Sequence, residues 1–321
     1  RAAVWLDPND PAARDEYAQS LLLGGQRAAG LDQIAVAVNR APQLQRHYYL
    51  APALIPWLLP DEQAAVARGF ERAMDDHFAG AVGEAAAFYR TLGRRREVGR
   101  LYEQAAENAA DAGQRLDYLI TAGTNYGLAG DVGAAERTLR AATEIDRTDA
   151  RPYAELARSV YGREGKLAEA GAVIDEGVRN GADRFDLSVA LADAAEDAGD
   201  AQAEERALEQ ALRERASFAI AMRLGGLYLA EQQFGPAVLS FAQATALEPD
   251  SAAAWFASGQ AHERDYDYVA ASQDYARAHR LEPANQAYAR AATDLAQRVT
   301  QASAPAVGAV PDGRAPASGA P

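Results

Sequence analysis

The chain has 321 residues, 49% of them hydrophobic, with 32 lysines and arginines against 46 aspartates and glutamates, for a net charge of −14. That acidity repels phosphate backbones, so no nucleic-acid partner is expected; it is also the ordinary charge state of a soluble bacterial protein. No cysteine is present, which excludes disulfides, thiolate catalysis and thiolate metal sites and leaves the compartment open.

Residues 1–8, Arg-Ala-Ala-Val-Trp-Leu-Asp-Pro, read as the end of a helix, because Ala3 and Pro8 fall five apart like Ala244 and Pro249 or Ala278 and Pro283. The chain starts without methionine and inside this pattern. It is therefore expected to be a fragment or the C-terminal part of a longer protein, with any targeting segment out of view. Residues 11–44 form a first whole unit, with Tyr17, Ala18, Leu21, Gly25, Ile34, Ala37 and Pro42. Residues 45–78 depart from it. Val66, Phe70 and Ala73 fit a second helix, but Pro52, Pro56 and Pro60 recur every four residues in the first half. An interior proline costs a helix roughly 3 kcal/mol, so a short helix to about Leu50 followed by extended or kinked chain is expected. The longest apolar run, Leu50 to Leu59, lies here, well below the roughly 18 residues of a membrane span.

Further units follow at 79–115 (Tyr89, Gly93, Tyr102, Ala105) and 116–149 (Ala122, Gly123, Tyr126, Gly130, Ala135, Leu139, Ala142). Another occupies 150–184, with Tyr153, Leu156, Ala157, Gly165, Ala170 and Ile174. A degenerate one at 185–217 turns at Gly199-Asp200. Residues 218–251 and 252–285 state the period most clearly. Leu224, Gly225, Tyr228, Ala237, Phe241, Ala244 and Pro249 return 34 positions later as Ser258, Gly259, His262, Ala271, Tyr275, Ala278 and Pro283. A small eighth residue lets the first helix approach the second, an aromatic twenty-fourth fills the groove between them, and the final proline stops the second helix. Residues 286–301 read as a polar-faced capping helix. The Ala/Pro/Gly-rich tail 302–321 is expected to be disordered, lacking apolar surface to offset its ordering entropy.

This spacing and pattern of residue size resemble the tetratricopeptide repeat, two antiparallel helices per unit. The resemblance covers residues 1–285. It implies an all-α, right-handed superhelical solenoid of antiparallel helix pairs, about eight units plus a cap, stabilised by stacking. It also implies a non-enzymatic protein–protein interaction scaffold that binds a peptide, helix or partner domain in its concave groove. Carried over by position, the groove residues are Gln19, Arg158, Tyr161, Asp193, Met222, Phe256 and Gln260, with Asp15, Glu196, Leu229 and Glu263 beside them. The Lys, Asn and Arg set of chaperone-clamping members is missing at these positions, so a mixed apolar and polar ligand is expected.

No Gly-rich phosphate loop, Rossmann fingerprint or His-Glu-x-x-His pair occurs, and His47, His77, His262 and His279 are scattered. No enzyme activity, metal or cofactor is expected. The acidic run Asp193, Glu196, Asp197, Asp200, Glu204, Glu205 and Glu209 reads as a solvated face. Arg90, Arg94, Arg95, Arg96 and Arg100 straddle the Gly93 turn; they read as a solvated turn or as a contact for an anionic partner. In the proline segment, Tyr48, Tyr49 and Trp57 read either as filling for an irregular backbone or as a partner-binding surface.

The order Leu-Asp-Pro-Asn-Asp-Pro, Tyr-Ala-Gln-Ser-Leu-Leu, His-Tyr-Tyr-Leu-x-Pro-x-Leu-Ile-Pro-Trp-Leu, Gly-Phe-Glu-Arg-Ala and Asn-Gly-Ala-Asp also resembles repeat regions fused behind bacterial O-antigen ligase or polymerase-type membrane proteins. That narrower resemblance implies a soluble accessory region of an envelope-polysaccharide enzyme whose catalytic part precedes Arg1. Its partner would be a membrane protein or an upstream membrane domain, and its place the bacterial cytoplasm or the inner membrane.

Overall fold

The computed structural model describes residues 10–43, 47, 50–78 and 80–303. Every regular element among them is helical. The expectations for residues 1–8, for Tyr48 and Tyr49 and for the tail from 304 lie outside the described residues. The chain divides into two compact units, residues 1–207 and 208–321.

The first unit opens with α1 (Pro11–Leu23) and α2 (Arg27–Arg40). Asp10 caps α1 by accepting from the Ala12 N–H, and Pro11 supplies a first helical residue with φ already set. The proline segment then makes turns at 51–54 and one 3-10 turn, Ile55–Trp57, before α3 (Pro60–Asp75). The prolines thus fall where no intrahelical N–H is needed. Glu62 reaches back to accept from the Leu59 N–H at 2.9 Å, a half of the capping box. Leu50 and Ile55 are buried with Ile34, Val38, Val66, Phe70, Phe88 and Val98 in one core, so the segment contributes apolar packing although it forms no long helix.

Next come α4 (Ala81–Thr91), α5 (Arg95–Glu107), α6 (Ala112–Leu128) and α7 (Val132–Ile145). Asp111 and Asp131 cap α6 and α7 through side-chain oxygens. α8 (Ala150–Glu155) runs directly into a π-helical stretch, Leu156–Tyr161, and a 3-10 turn, Gly162–Glu164. α9 (Leu167–Arg179) and α10 (Arg184–Ala198) follow. A second core holds Leu139, Tyr153, Leu156, Val160, Ile174 and Leu187.

α11 (Ala201–Glu214) spans the boundary between the units. The second unit then contains α12 (Phe218–Ala230), α13 (Phe234–Leu247), α14 (Ala252–Arg264), α15 (Tyr268–Leu281) and α16 (Gln286–Ser303). Its packing follows the expected repeat chemistry. A Cβ placed on Gly225 would lie 2.7 Å from Phe241 Cε1, and one on Gly259 would lie 2.6 Å from Tyr275 Cδ1. The small eighth residue therefore admits the aromatic twenty-fourth of the same pair. In the first unit Gly123 meets Leu139 in the same way.

The turn inside each pair needs one left-handed residue. Gly93, Gly130, Gly165 and Gly199 supply it, while Gln232 (φ 60°) and Tyr266 (φ 63°) take it without glycine.

Candidate partner-binding faces

The first-helix residues named from sequence occupy two separate stretches, one in each unit. In the first unit, Gln19 is exposed on α1. Asp15, one turn earlier, is not available to a ligand in the same sense. It is buried against His47, whose Nδ1 lies 3.0 Å from Asp15 Oδ2 and whose Nε2 lies 2.5 Å from the Ala41 carbonyl. This buried polar contact ties the start of the proline segment to α1.

Arg158 and Tyr161 sit in the π stretch, and its origin lies in the spacing. The turn glycines Gly130 and Gly165 are 35 positions apart, whereas Gly165 and Gly199 are 34 apart. One extra residue is therefore present before Gly165. Ala157 still follows Gly123 by 34, but Tyr161 follows Tyr126 by 35, so the insertion falls between 157 and 161 and the π stretch absorbs it. Beyond it the repeat contacts resume. Tyr161 Oη donates to Glu136 Oε1 at 2.5 Å on the preceding second helix, as Tyr126 Oη donates to Glu103 Oε2 at 2.6 Å. Burial, and then the neighbouring carboxylate, push both phenols above the ordinary tyrosine range. They act as hydrogen-bond donors and not as bases.

Arg158 pairs with Glu155 one turn back and reaches Asp193 Oδ2 on α10 at 3.5 Å. Two of the expected groove residues, Arg158 and Asp193, thus meet each other. The same device recurs along the chain. Arg27–Asp61, Arg137–Glu103, Arg151–Asp117, Arg140–Glu176 and Arg298–Glu263 join groups 34 to 36 positions apart, one repeat on. Exposed pairs of this kind add little stability, because solvent screens them. Their common spacing follows from stacking, which brings equivalent positions of successive repeats side by side.

In the second unit, Met222 is half-buried against Ala221, Ala244 and Ala254. Phe256 packs between Tyr275 and Tyr288, with ring centroids at 5.3 and 4.7 Å. Gln260 is exposed and lines a cleft of about 270 Å³ with Leu229, Glu263, Arg264 and Tyr275. Glu263 is held from two sides, by Tyr275 Oη at 2.9 Å and Arg298 Nη1 at 3.0 Å. Burial and this carboxylate raise the Tyr275 pKa. The cleft therefore offers a fixed carboxylate, an amide free to turn either face, and an apolar wall at Leu229 and the Tyr275 ring.

Trp57 points into solvent at 81% exposure, so its ring does not fill the backbone irregularity beside it; Ile55 does. Among the described residues no group of three or more His, Asp or Glu side chains is placed to hold a metal ion. Among the same residues no helix is long and apolar enough to cross a membrane.

Sequence reasoning missed the tyrosine–glutamate bonds and the π stretch. The signal for the second was present in the 35-residue glycine spacing. The first had only a weak signal, since the glutamates lie 23, 25, 19 and 12 positions from their tyrosines.

The chain is an all-helical array of antiparallel pairs with tetratricopeptide-type packing. No family model matches it, and no curated protein matches it. Several solved structures are similar in fold. YrrB, described as a TPR protein with an unusual peptide-binding site, is 18% identical over 62% of this chain and 97% of its own, at a TM-score of 0.40. PilW, a type IV pilus biogenesis factor, is 16% identical over 67% of this chain and 96% of its own, at 0.43. MamA from Desulfovibrio magneticus RS-1 is 22% identical over 46% of this chain and 86% of its own, at 0.37. The helix pairs are defined by the close approach of small residues to large ones within this chain.

Proposed function

We propose that the protein is a non-enzymatic interaction scaffold that binds a protein segment along its first-helix faces. The cleft at Leu229, Gln260, Glu263 and Tyr275 carries this reading. It places an apolar wall, Leu229 on α12 and the Tyr275 ring on α15, beside a held carboxylate and a mobile amide on α14, the mix that orients a peptide or helix by a few hydrogen bonds while burying its apolar side chains. Arg158 and Asp193 serve the array mainly by joining neighbouring repeats; in the second unit Met222 and Phe256 extend the binding face, and in the first Gln19 is an exposed first-helix position. The experiment is site-specific photocrosslinking from position 260 of the full chain. A partner should crosslink there, and Gln260→Lys and Leu229→Ala should each weaken its binding with helicity unchanged. A partner that binds both variants as tightly as the parent removes the cleft from the function.

A narrower second reading is a soluble accessory region of an O-antigen ligase or polymerase-type enzyme, supported by the order of the five sequence stretches above, of which the Pro-interrupted segment 47–60 is the most distinctive. There Trp57, with its exposed ring, and Tyr48 and Tyr49 would contact the membrane part. A run of about ten hydrophobic helices encoded directly upstream is the observation this reading needs, and its absence there rejects it.

A further inference from the structure

We propose that the arginine-rich turn at residues 90–100 is a second docking surface, separate from the first-helix cleft, and that it takes an acidic segment of a protein partner. Arg90 lies in the last turn of α4, Arg94 precedes α5, and Arg95, Arg96 and Arg100 lie on the first two turns of α5. Glu97 is the single carboxylate in that stretch. Arg90, Arg94, Arg96 and Arg100 are exposed and Arg95 is half-buried.

The contacts these side chains make leave most of their charge uncompensated. Arg96 Nη2 meets Asp131 Oδ2 at 2.8 Å. Arg94 Nη2 donates instead to the amide oxygen of Gln63 at 2.6 Å, and Arg90 Nη2 to the Tyr102 hydroxyl at 3.3 Å. Those acceptors are neutral. They hold the side chains in place without cancelling them. Among the described residues no carboxylate pairs with Arg90, Arg94, Arg95 or Arg100.

The placement also runs against helix electrostatics. The N-terminus of a helix carries partial positive charge and is stabilised by acids, and α6, α7, α8, α10 and α15 are each capped there by an aspartate. α5 has Arg94 at that position with no side-chain cap, as α9 has Lys166, but it alone of the two continues with Arg95 and Arg96 before its first-turn acid, Glu97. Cations concentrated at the wrong end of a helix, where local stability would favour acids, are a conflict between local and global preference of the kind found at functional sites. An external anion relieves it.

The charge of the remaining chain selects the kind of anion. The whole protein carries −14 although this stretch is strongly positive, so the rest of the chain is net acidic. Screening confines the attraction of the arginines to about 8–10 Å at ordinary salt. A duplex nucleic acid or an anionic bilayer extends past that range and meets repulsion. A short run of aspartates and glutamates fits inside it, and each carboxylate matches the two-pronged guanidinium fork.

The test uses the full chain and a fluorescein-labelled peptide of alternating Asp and Glu, read by fluorescence anisotropy at low ionic strength. Saturable binding is expected. It should weaken at least tenfold in the Arg95→Glu/Arg100→Glu variant and stay within roughly twofold in the charge-matched Arg280→Glu/Arg290→Glu variant. The Arg95→Glu/Arg100→Glu variant should melt no lower than the parent, because an acid at position 95 suits the helix dipole and position 100 is exposed; lost binding then cannot be laid to unfolding. Equal binding by parent and variant overturns the proposal. So does no peptide binding by the parent, or binding of phosphatidylserine vesicles in preference to the peptide.

Discussion

Residues 218–281 and residues 150–180 are built from the same repeat, and they differ by one residue. In the first, the 34-residue period is unbroken, and Gly225 and Gly259 lie so close to Phe241 and Tyr275 that a Cβ at either position would clash with the ring. In the second, an added residue before Gly165 is absorbed by the π stretch Leu156–Tyr161, the small position is Ala157, and the neighbours of the inserted turn are Glu155, Arg158, Ser159 and Asp193. The contrast shows where a repeat tolerates insertion. Between the helices of a pair, an extra residue would rotate the next apolar side chain out of the core. Here the turn widens around Arg158 and Ser159, which are half-buried with polar partners, while Leu156, Ala157 and Val160 stay in the core and the phase of Tyr161 is restored.

The largest test of this contrast is Phe241→Ala. The ring is 2% exposed, and its removal should cost about 3–5 kcal/mol by lost burial and cavity formation, seen as a lower midpoint in urea. A loss under 1 kcal/mol would mean that the glycine–aromatic contact is not what holds the regular pair together. Adjacent glycines give the next comparison. Gly225→Leu should destabilise by about 1–3 kcal/mol through overpacking against Phe241. Gly226 faces open space, so Gly226→Ala should instead stabilise α12 by up to about 1 kcal/mol. Thermal melting of the two variants should move in opposite directions, and a shift of the same sign in both would show that the register is misread.

A smaller effect is expected from deleting Ser159. The deletion returns the 150–184 repeat to the regular spacing and loses the Ser159–Glu155 hydrogen bond at 2.8 Å, a cost of about 0.5–1.5 kcal/mol. Deleting Gly226 from the regular pair should cost several-fold more. Comparable losses from the two deletions would contradict the assignment of the extra residue to 157–161.

The smallest effect concerns Asp274, a carboxylate inside the regular region. Its carboxyl is held above the ordinary aspartate range mainly by burial, against the opposing hydrogen bond from Ser258 Oγ at 2.6 Å. The folded state therefore binds this proton more tightly than the unfolded chain does. The stabilisation is complete below the unfolded pKa and is lost as pH rises through the folded one. Asp274→Asn keeps an acceptor for Ser258 and removes the titration. Its melting temperature relative to the parent should rise between about pH 3 and pH 6. A flat difference across that range would show that the carboxyl titrates normally.

Much of this was legible in the residues. Gly93, Gly130, Gly165 and Gly199 marked their turns, and the period around Gly225 and Phe241 announced both the close approach and its filler. The first-helix positions Gln260 and Leu229 could be named as well. Trp57 could not be assigned, because an aromatic beside prolines reads equally as filler or as exposed surface until its neighbours are placed. Arg158 and Asp193 looked like ligand-facing residues because position along a helix gives a direction, and direction does not say which charge waits one repeat away.

The sequence by itself determined that the chain is helical, where several turns between paired helices fall, and which small and large residues recur together. Those properties depend on φ preferences, caps and a 34-position rhythm, all of which are local. The tertiary structure alone decided that Ile55 enters a core while Trp57 faces water, that His47 is bound between Asp15 and Ala41, and that arginines and carboxylates pair across repeats. Those outcomes depend on the distance between groups that only stacking brings together, and burial and charge pairing are fixed by that distance.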